Sequence, residues 1–170
     1  RFMIRRRREN NVQSSGLRRL RRHGLTFRRR HVQALVALTA GAAVLRFSTL
    51  AVQSYWYDEA ITVHLVRRSF DGMLGEIPGS ESTPPLYYIL AHGWASLFGT
   101  GEAALRSLSA VFGTATVPAA YAAARGFVSP RSSLITTAFV AVSPLLVWYS
   151  QEARAYALLV LLATLSLVFV

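Results

Sequence analysis

The chain has 170 residues, of which 52% are hydrophobic and only 16% are charged, and its mean hydropathy is +0.33. Soluble domains carry about 25% charged residues, and disordered chains are poor in hydrophobic and aromatic residues, so both classes are disfavoured. The absence of cysteine excludes disulfide scaffolds, thiol nucleophiles and cysteine-ligated zinc. The composition therefore indicates a membrane protein.

The formal net charge of +11 is concentrated at the N-terminus. Residues 1–31 contain twelve arginines and one acid, whereas residues 32–170 contain seven arginines and seven acids. We expect residues 1–31 to form a disordered cytoplasmic arm that follows the positive-inside rule and contacts anionic lipid. A twin-arginine export signal at Arg29 and Arg30 and a nucleic-acid-binding arm are the alternatives. Further hydrophobic segments follow the first, so removal of the first as an export signal would not release a soluble product. No aromatic platform accompanies the arginines, so we predict no nucleic-acid partner.

The first hydrophobic segment, residues 32–52, reaches about 31 Å as a helix, which is enough to cross a bilayer core. Arg46 lies near the far end of this segment, and we expect its guanidinium to extend to the outer interface. The aromatic residues 55–57 that follow are typical of a membrane–water boundary. With the arm in the cytoplasm, Asp58 and Glu59 emerge on the extracytoplasmic side.

Residues 59–98 are predicted to lie along the outer membrane surface. Residues 59–77 are too highly charged to span a bilayer, so we expect amphipathic helices there. Residues 84–98 reach only about 22 Å as a helix, which is too short to span. Because this segment also contains His92 and Trp94, we expect it to form an interfacial helix.

Three further membrane spans are predicted, near residues 103–124, 133–149 and 155–170. The first of them crosses inward and brings Arg125 and Arg131 to the cytoplasm, in agreement with the positive-inside rule. Pro118 and Pro144 are expected to kink or locally break their helices. The predicted fold class is an all-α, polytopic membrane protein. Because the chain ends in an apolar stretch and does not begin with methionine, we expect it to be the N-terminal part of a longer protein.

This topology brings four groups of side chains to one outer surface. They are Asp58 with Glu59, the segment 84–88, Glu102 with Arg106, and Glu152 with Arg154 and Tyr156. A carboxylate can accept a hydroxyl proton as a general base, and an arginine can bind a phosphate through two hydrogen bonds. The surface therefore suits a reaction between an anionic donor and a hydroxyl acceptor.

Structural explanations also exist for each group. Asp58 and Glu59 suit the first turn of a helix, where acids are favoured. Glu102 and Arg106 have the i,i+4 spacing of a local ion pair, which is the favoured interpretation of these two residues. Paired prolines suit a helix start. The isolated His64 and His92 are expected to pack rather than to bind a metal.

Four motifs occur in a characteristic order: YWYDEA at 55–60, TPPLYY at 83–88, GEAALRS at 101–107 and YSQEARAY at 149–156. In this succession, residues 32–170 resemble the N-terminal third of bacterial GT-C glycosyltransferases. The similarity is to the branch related to the protein O-mannosyltransferases and the aminoarabinose transferase of lipid A. It implies a GT-C-type transmembrane helix bundle that uses a polyprenyl-phosphate sugar as donor.

The resemblance also implies roles for individual residues. Asp58 corresponds to the catalytic carboxylate, with Glu59 beside it. The residues implied to bind the donor phosphate or the sugar, or to line the site, are Arg106, Gln151, Glu152, Arg154, Tyr156, Pro84, Pro85 and Tyr87. Relatives often have His or Asp where this chain has Thr83, so no metal ligand is predicted there, and participation of a divalent metal stays open.

The predicted function is inverting transfer of a hexose or pentose at the outer face of the bacterial cytoplasmic membrane. Asp58 is the predicted base, and the acceptor hydroxyl belongs to a glycan, a lipid or a protein. Residues 1–170 alone are expected to be inactive. The alternatives are a secondary transporter for an anionic solute, which would need ionisable groups near the bilayer midplane, and a non-catalytic membrane anchor or assembly subunit.

Overall fold

The computed structural model describes residues 29–80 and 84–169, and over these residues the protein contains eight α-helices and no strand. The first helix, α1, is described over residues 29–47. The others are α2 (Tyr57–Val66), α3 (Phe70–Ser80), α4 (Leu86–Phe98), α5 (Glu102–Phe127), α6 (Pro130–Val142), α7 (Pro144–Ser150) and α8 (Tyr156–Ser166). The all-α prediction is confirmed for the described residues, whereas the predicted disorder of the arm falls mostly on residues 1–28, which lie outside them.

Helix α5 is the central element, because α4, α6, α7 and α8 all pack against it. Much of its buried face consists of small residues, among them Ala110, Gly113, Ala120 and Ala123. Small side chains allow neighbouring helix backbones to approach closely. A kink or a local break was predicted at Pro118, and the break does not occur, because the helix continues without interruption through this residue.

The main apolar core lies at the end of α5 that carries residue 105. Buried side chains of α2, α3, α4 and α8 meet α5 there, and Leu65, Met73, Tyr87 and Tyr88 are among the most completely buried. The rings of Tyr87 and Tyr88 pack edge to face with their centroids 5.7 Å apart. This core holds α2 and α4 against the end of α5 at which the predicted site residues lie.

The helix that the sequence predicts over 133–149 is broken in two. Helices α6 and α7 are separated at Ser143 and are bent by 56° relative to each other. Pro144 lacks the backbone N–H that would bond to the carbonyl of Val140. The predicted break at Pro144 is confirmed.

The expectation that the guanidinium of Arg46 extends to the outer interface is wrong, because this side chain is completely buried. It donates to the carbonyls of Ala141 at 2.9 Å and Val140 at 3.3 Å, which lie at the end of α6, and to that of Ala42 at 3.2 Å. The break in the helix frees carbonyls that water would otherwise have to satisfy. These buried acceptors hold the guanidinium inside the bundle.

A membrane crossing requires a helix that is both long and apolar enough, and the described helices differ in this respect. No single helix satisfies both requirements, whereas α6 and α7 taken together satisfy them as a bent pair.

Gly113 lies where α5 packs tightly against the end of α7. A Cβ atom at this position would collide with Ser150 Oγ and would lie 2.7 Å from Ser150 Cβ and 3.1 Å from Arg46 Nε. We expect Gly113→Ala to destabilise the protein by about 1–3 kcal/mol through overpacking. Thermal unfolding in detergent measures this loss. Gly126→Ala is the matched control in the same helix: its Cβ meets nothing within 4 Å, so it should be neutral or stabilising by up to about 1 kcal/mol.

Candidate functional site

A buried ion pair joins α2 to α5. Arg106 Nη2 lies 2.6 Å from Glu59 Oε2, and Arg106 Nε lies 2.8 Å from Glu59 Oε1. Glu59 is completely buried and Arg106 is 5% exposed. The expected local pair between Glu102 and Arg106 is therefore wrong. Glu59 offers both carboxylate oxygens in the two-pronged geometry that a guanidinium prefers.

The guanidinium of Arg106 also binds the loop between α1 and α2. Nη1 donates to the carbonyls of Leu50 at 2.9 Å and Gln53 at 2.6 Å, and Nη2 donates to that of Ser54 at 3.2 Å. An arginine has five N–H donors, and the contacts to Glu59 and to this loop use all five. The predicted contact between Arg106 and the donor phosphate stays a prediction, and it would require one of these bonds to break.

Glu59 has partners beyond Arg106. The backbone N–H of Ala153 donates to Glu59 Oε1 at 2.9 Å, and that of Trp56 lies 3.4 Å from Glu59 Oε2. The carboxylate thus connects the start of α2 to the loop between α7 and α8. This single side chain brings the first and the last of the four sequence motifs together.

A cavity of about 370 Å³ opens beside the ion pair. It is lined by Thr49, Val52, Gln53, Ser54, Trp56, Glu59, Arg106, Trp148, Gln151 and Glu152. Its charged residues are one paired acid, one paired arginine and Glu152, so its formal charge is negative while Glu152 is ionised. Two indole rings and several amide and hydroxyl groups complete the lining, a mixture that suits a polyhydroxylated ring better than a phosphate.

Glu152 is the acid of this cavity that does not pair with Arg106. It is only 6% exposed, and its Oε1 accepts a hydrogen bond from the indole Nε1 of Trp148. Burial raises the pKa of the Glu152 carboxyl above its ordinary value, and the bond from Trp148 opposes part of this rise. The carboxyl therefore keeps its proton to a higher pH than an exposed glutamate does, and when protonated it can donate a hydrogen bond.

Asp58 and Arg154 lie next to each other at the start of α2. Arg154 Nη1 donates to the backbone carbonyl of Asp58 at 3.3 Å. Asp58 is half-buried in the first turn of α2 and is not among the residues that line the cavity. The structure thus brings Arg154 and the backbone of Asp58 together at the start of α2, and neither residue belongs to the lining of the cavity.

Tyr87 is connected through Ser109 to the loop between α7 and α8. Its hydroxyl lies 3.1 Å from Ser109 Oγ, which in turn donates to the carbonyl of Arg154 at 3.3 Å. Burial raises the pKa of the Tyr87 hydroxyl, so it stays protonated. In this position Tyr87 supports the backbone of the loop.

The remaining predicted site residues lie at the periphery. Pro84 and Pro85 are exposed and directly precede α4. Tyr156 begins α8, is 36% exposed, and packs on Tyr149 with the ring centroids 4.8 Å apart. These three residues lie outside the lining of the cavity.

Six of the ten residues that line the cavity were not assigned to the site by the sequence, namely Thr49, Val52, Gln53, Ser54, Trp56 and Trp148. Trp148 was missed, and only its position four residues before Glu152, one helical turn, could have indicated the contact. Trp56 was assigned to a membrane-interface belt alone. Gln151 was assigned to the donor, but its Nε2 donates to Thr49 Oγ1 at 2.8 Å and to the carbonyl of Leu45 at 3.0 Å. It thereby fastens α7 to the end of α1.

A metal ion has no evident set of ligands in the described parts of the chain, because no three His, Asp or Glu side chains cluster suitably there. His92 Nδ1 lies 3.2 Å from the carbonyl of Val66, and its ring packs against Phe70. His64 Nε2 lies 3.2 Å from Glu76 Oε1 on the surface. Both histidines thus make packing or surface contacts.

The chain matches the model of a known protein family. The model of the family described as dolichyl-phosphate-mannose-protein mannosyltransferase matches residues 82–170, which is more than half of the chain. The matched region includes the paired prolines, Arg106 and the loop that carries Glu152 and Arg154. Neither a curated protein nor a solved structure matches the chain.

Proposed function

The chain belongs to the dolichyl-phosphate-mannose-protein mannosyltransferase family, and on that premise we propose that it moves a sugar from a polyprenyl-phosphate donor to an acceptor hydroxyl. The family is one of membrane glycosyltransferases of the GT-C type. The observation that carries the proposal is the cavity in which the first and last sequence motifs meet. The proposed location is the outer face of the cytoplasmic membrane, with the N-terminus in the cytoplasm.

In this proposal the sugar ring of the donor occupies the cavity. Trp56 and Trp148 offer apolar faces, and Gln53 and Glu152 offer polar groups for hydroxyls. Arg106 contributes no net charge because Glu59 neutralises it. A cavity whose remaining acid is Glu152 favours a neutral ring over a phosphate, since a buried anion without a cation is costly.

The donor phosphate is assigned to Arg154, outside the cavity. The guanidinium of Arg154 is half-buried and is held beside the start of α2 by the carbonyl of Asp58. In that position it could neutralise the phosphate as the bond to the sugar breaks. Asp58 would accept the proton of the acceptor hydroxyl, which attacks the anomeric carbon from the face opposite the phosphate and inverts its configuration.

We expect Arg154→Ala to raise the KM for the polyprenyl-phosphate sugar by about 10–100-fold, because a charge-assisted hydrogen bond contributes about 1.5–3 kcal/mol. Initial rates of sugar transfer at varied donor concentration, measured with the full-length protein, give the effect. Arg67→Ala is the matched control, since Arg67 is an exposed arginine of the same region that donates to Thr100 Oγ1. Equal KM values for the two variants would refute the phosphate assignment.

A further inference from the structure

We propose that Arg46 is a positioning residue for the cavity. Its buried guanidinium replaces the backbone donor that is missing at the break between α6 and α7, and so sets the direction of α7. Helix α7 carries Trp148, and Glu152 follows it after one intervening residue. The step from this positioning to sugar transfer rests on the proposed function, whereas the positioning itself can be tested without any activity.

The first part of the argument is the way in which the charge of Arg46 is satisfied. The guanidinium is completely buried, and none of the ion pairs found among residues 29–80 and 84–169 includes it. Burying a cation without a counter-charge is expensive. Here the carbonyls of Val140 and Ala141 at the C-terminal end of α6 replace the counter-charge, because a helix C-terminus carries partial negative charge.

The second part is the reason why α6 needs this side chain. The carbonyl of Val140 would bond to the N–H of residue 144 in a continuous helix, and Pro144 has none. The carbonyl of Ala141 would bond to the N–H of residue 145, which the 56° bend turns away. An arginine can reach both carbonyls at once with its planar, forked donors, whereas a lysine offers a single point of donation.

The third part is the connection from Arg46 to the cavity. Arg46 Nε donates to Ser150 Oγ at 3.2 Å, and Ser150 is the last residue of α7. The guanidinium therefore contacts the break at the start of α7 and the side chain at its end. The next residue, Gln151, bonds back to the end of α1. Both ends of α7 are thus held, and Trp148 and Glu152 line the cavity.

A single introduced cysteine reports on this arrangement, because the chain has no cysteine of its own. Ala153 is completely buried and donates its N–H to Glu59, so Ala153→Cys should react slowly with a water-soluble alkylating reagent. In this background we expect Arg46→Met to increase the alkylation rate at least about tenfold, because the loop after α7 loses its support. The control is Arg125→Met, which removes an exposed arginine that donates to the carbonyl of Val128 after α5.

A second variant separates positioning from general destabilisation. Pro144→Ala restores the N–H that the carbonyl of Val140 lacks, so α6 and α7 should straighten. The thiol introduced by Ala153→Cys should then become reactive, as in Arg46→Met, although Arg46 is present. In the double variant with Arg46→Met, we expect the loss of stability to be smaller than the sum of the two single losses. An arginine whose contribution to stability did not depend on the break at Pro144 would give additive losses. Pro144→Ala needs no removal of Arg46, so it also serves if Arg46→Met fails to fold.

Kinetics then connects the positioning to the reaction. Arg46→Met should lower kcat at least about tenfold with a smaller change in the KM for donor, because Arg154 is untouched, and Arg46→Lys should recover only part of this loss. Unchanged alkylation of the introduced thiol in both Arg46→Met and Pro144→Ala would overturn the proposal. Increased alkylation, combined with a full-length parent protein that shows no sugar transfer, would support the positioning and refute the proposed function.

Discussion

The Asp58→Asn enzyme should lose about 10²–10⁴-fold in turnover with a polyprenyl-phosphate sugar donor, while it still inserts into the membrane and binds the donor. The amide preserves the size of the side chain but cannot accept the hydroxyl proton, and general-base catalysis contributes rate factors of this size. Steady-state rates at saturating donor measure the loss. Donor affinity, measured separately, should stay close to that of the parent because Arg154 retains the carbonyl of Asp58 as its partner.

The structural alternative for Asp58 gives a different result. Asp58 lies in the first turn of α2, where a negative charge stabilises a helix by about 0.3–1 kcal/mol. If this were its only role, Asp58→Asn would lower the thermal stability slightly and leave turnover nearly unchanged. An Asp58→Asn enzyme that keeps most of its rate would therefore exclude Asp58 as the base. Asp71→Asn is a matched control, since Asp71 occupies the first turn of α3.

Breaking the Glu59–Arg106 pair should have the largest effect on stability. Removing one member leaves the other charge buried and uncompensated, which costs about 3–5 kcal/mol. We therefore expect Arg106→Met to lower the midpoint of thermal unfolding strongly and to reduce the yield of inserted protein. The loop between α1 and α2 should also loosen, because Arg106 binds the carbonyls of Leu50, Gln53 and Ser54.

The double variant Glu59→Gln/Arg106→Met distinguishes this pair from a purely catalytic one. With both charges removed, part of the stability should return relative to Arg106→Met, whereas sugar transfer should not. Glu76→Gln provides the surface control. Glu76 pairs with Arg68 in a partly exposed position, and such pairs contribute about 0–1 kcal/mol. Equal losses of stability for Glu76→Gln and Arg106→Met would contradict the account of the buried pair.

Helix positions followed from the sequence to within a few residues. Pro130 and Pro144 begin α6 and α7, as expected for a residue whose N–H is dispensable only in a first turn. The predicted helix over 84–98 is observed as Leu86–Phe98, and the predicted span 103–124 lies within Glu102–Phe127. The outcome at Pro118 was not predictable in this way, because continuity through a proline depends on the neighbours that pack around it.

The partners of the charged side chains were much harder to predict. Sequence spacing favoured Glu102 as the partner of Arg106, but the acid that pairs with Arg106 is Glu59, which lies 47 positions away in the sequence. Arg46 was expected at the membrane surface because a long side chain can extend from a helix end. Its actual acceptors, the carbonyls of Val140 and Ala141, become available only after α6 breaks and packs beside α1.

By itself, the sequence determined the helical class, the basic arm, the break at Pro144 and the set of motifs from which the candidate site is built, because each depends on residues close together in the chain. Only the tertiary structure decided that Glu59 pairs with Arg106 and that Glu152 lines a cavity together with Trp148. It also decided that Arg46 binds the carbonyl of Val140, which the break between α6 and α7 leaves without a backbone donor. Those outcomes depend on which donors and acceptors packing leaves without water, and a buried polar group must then bond to whatever lies within reach.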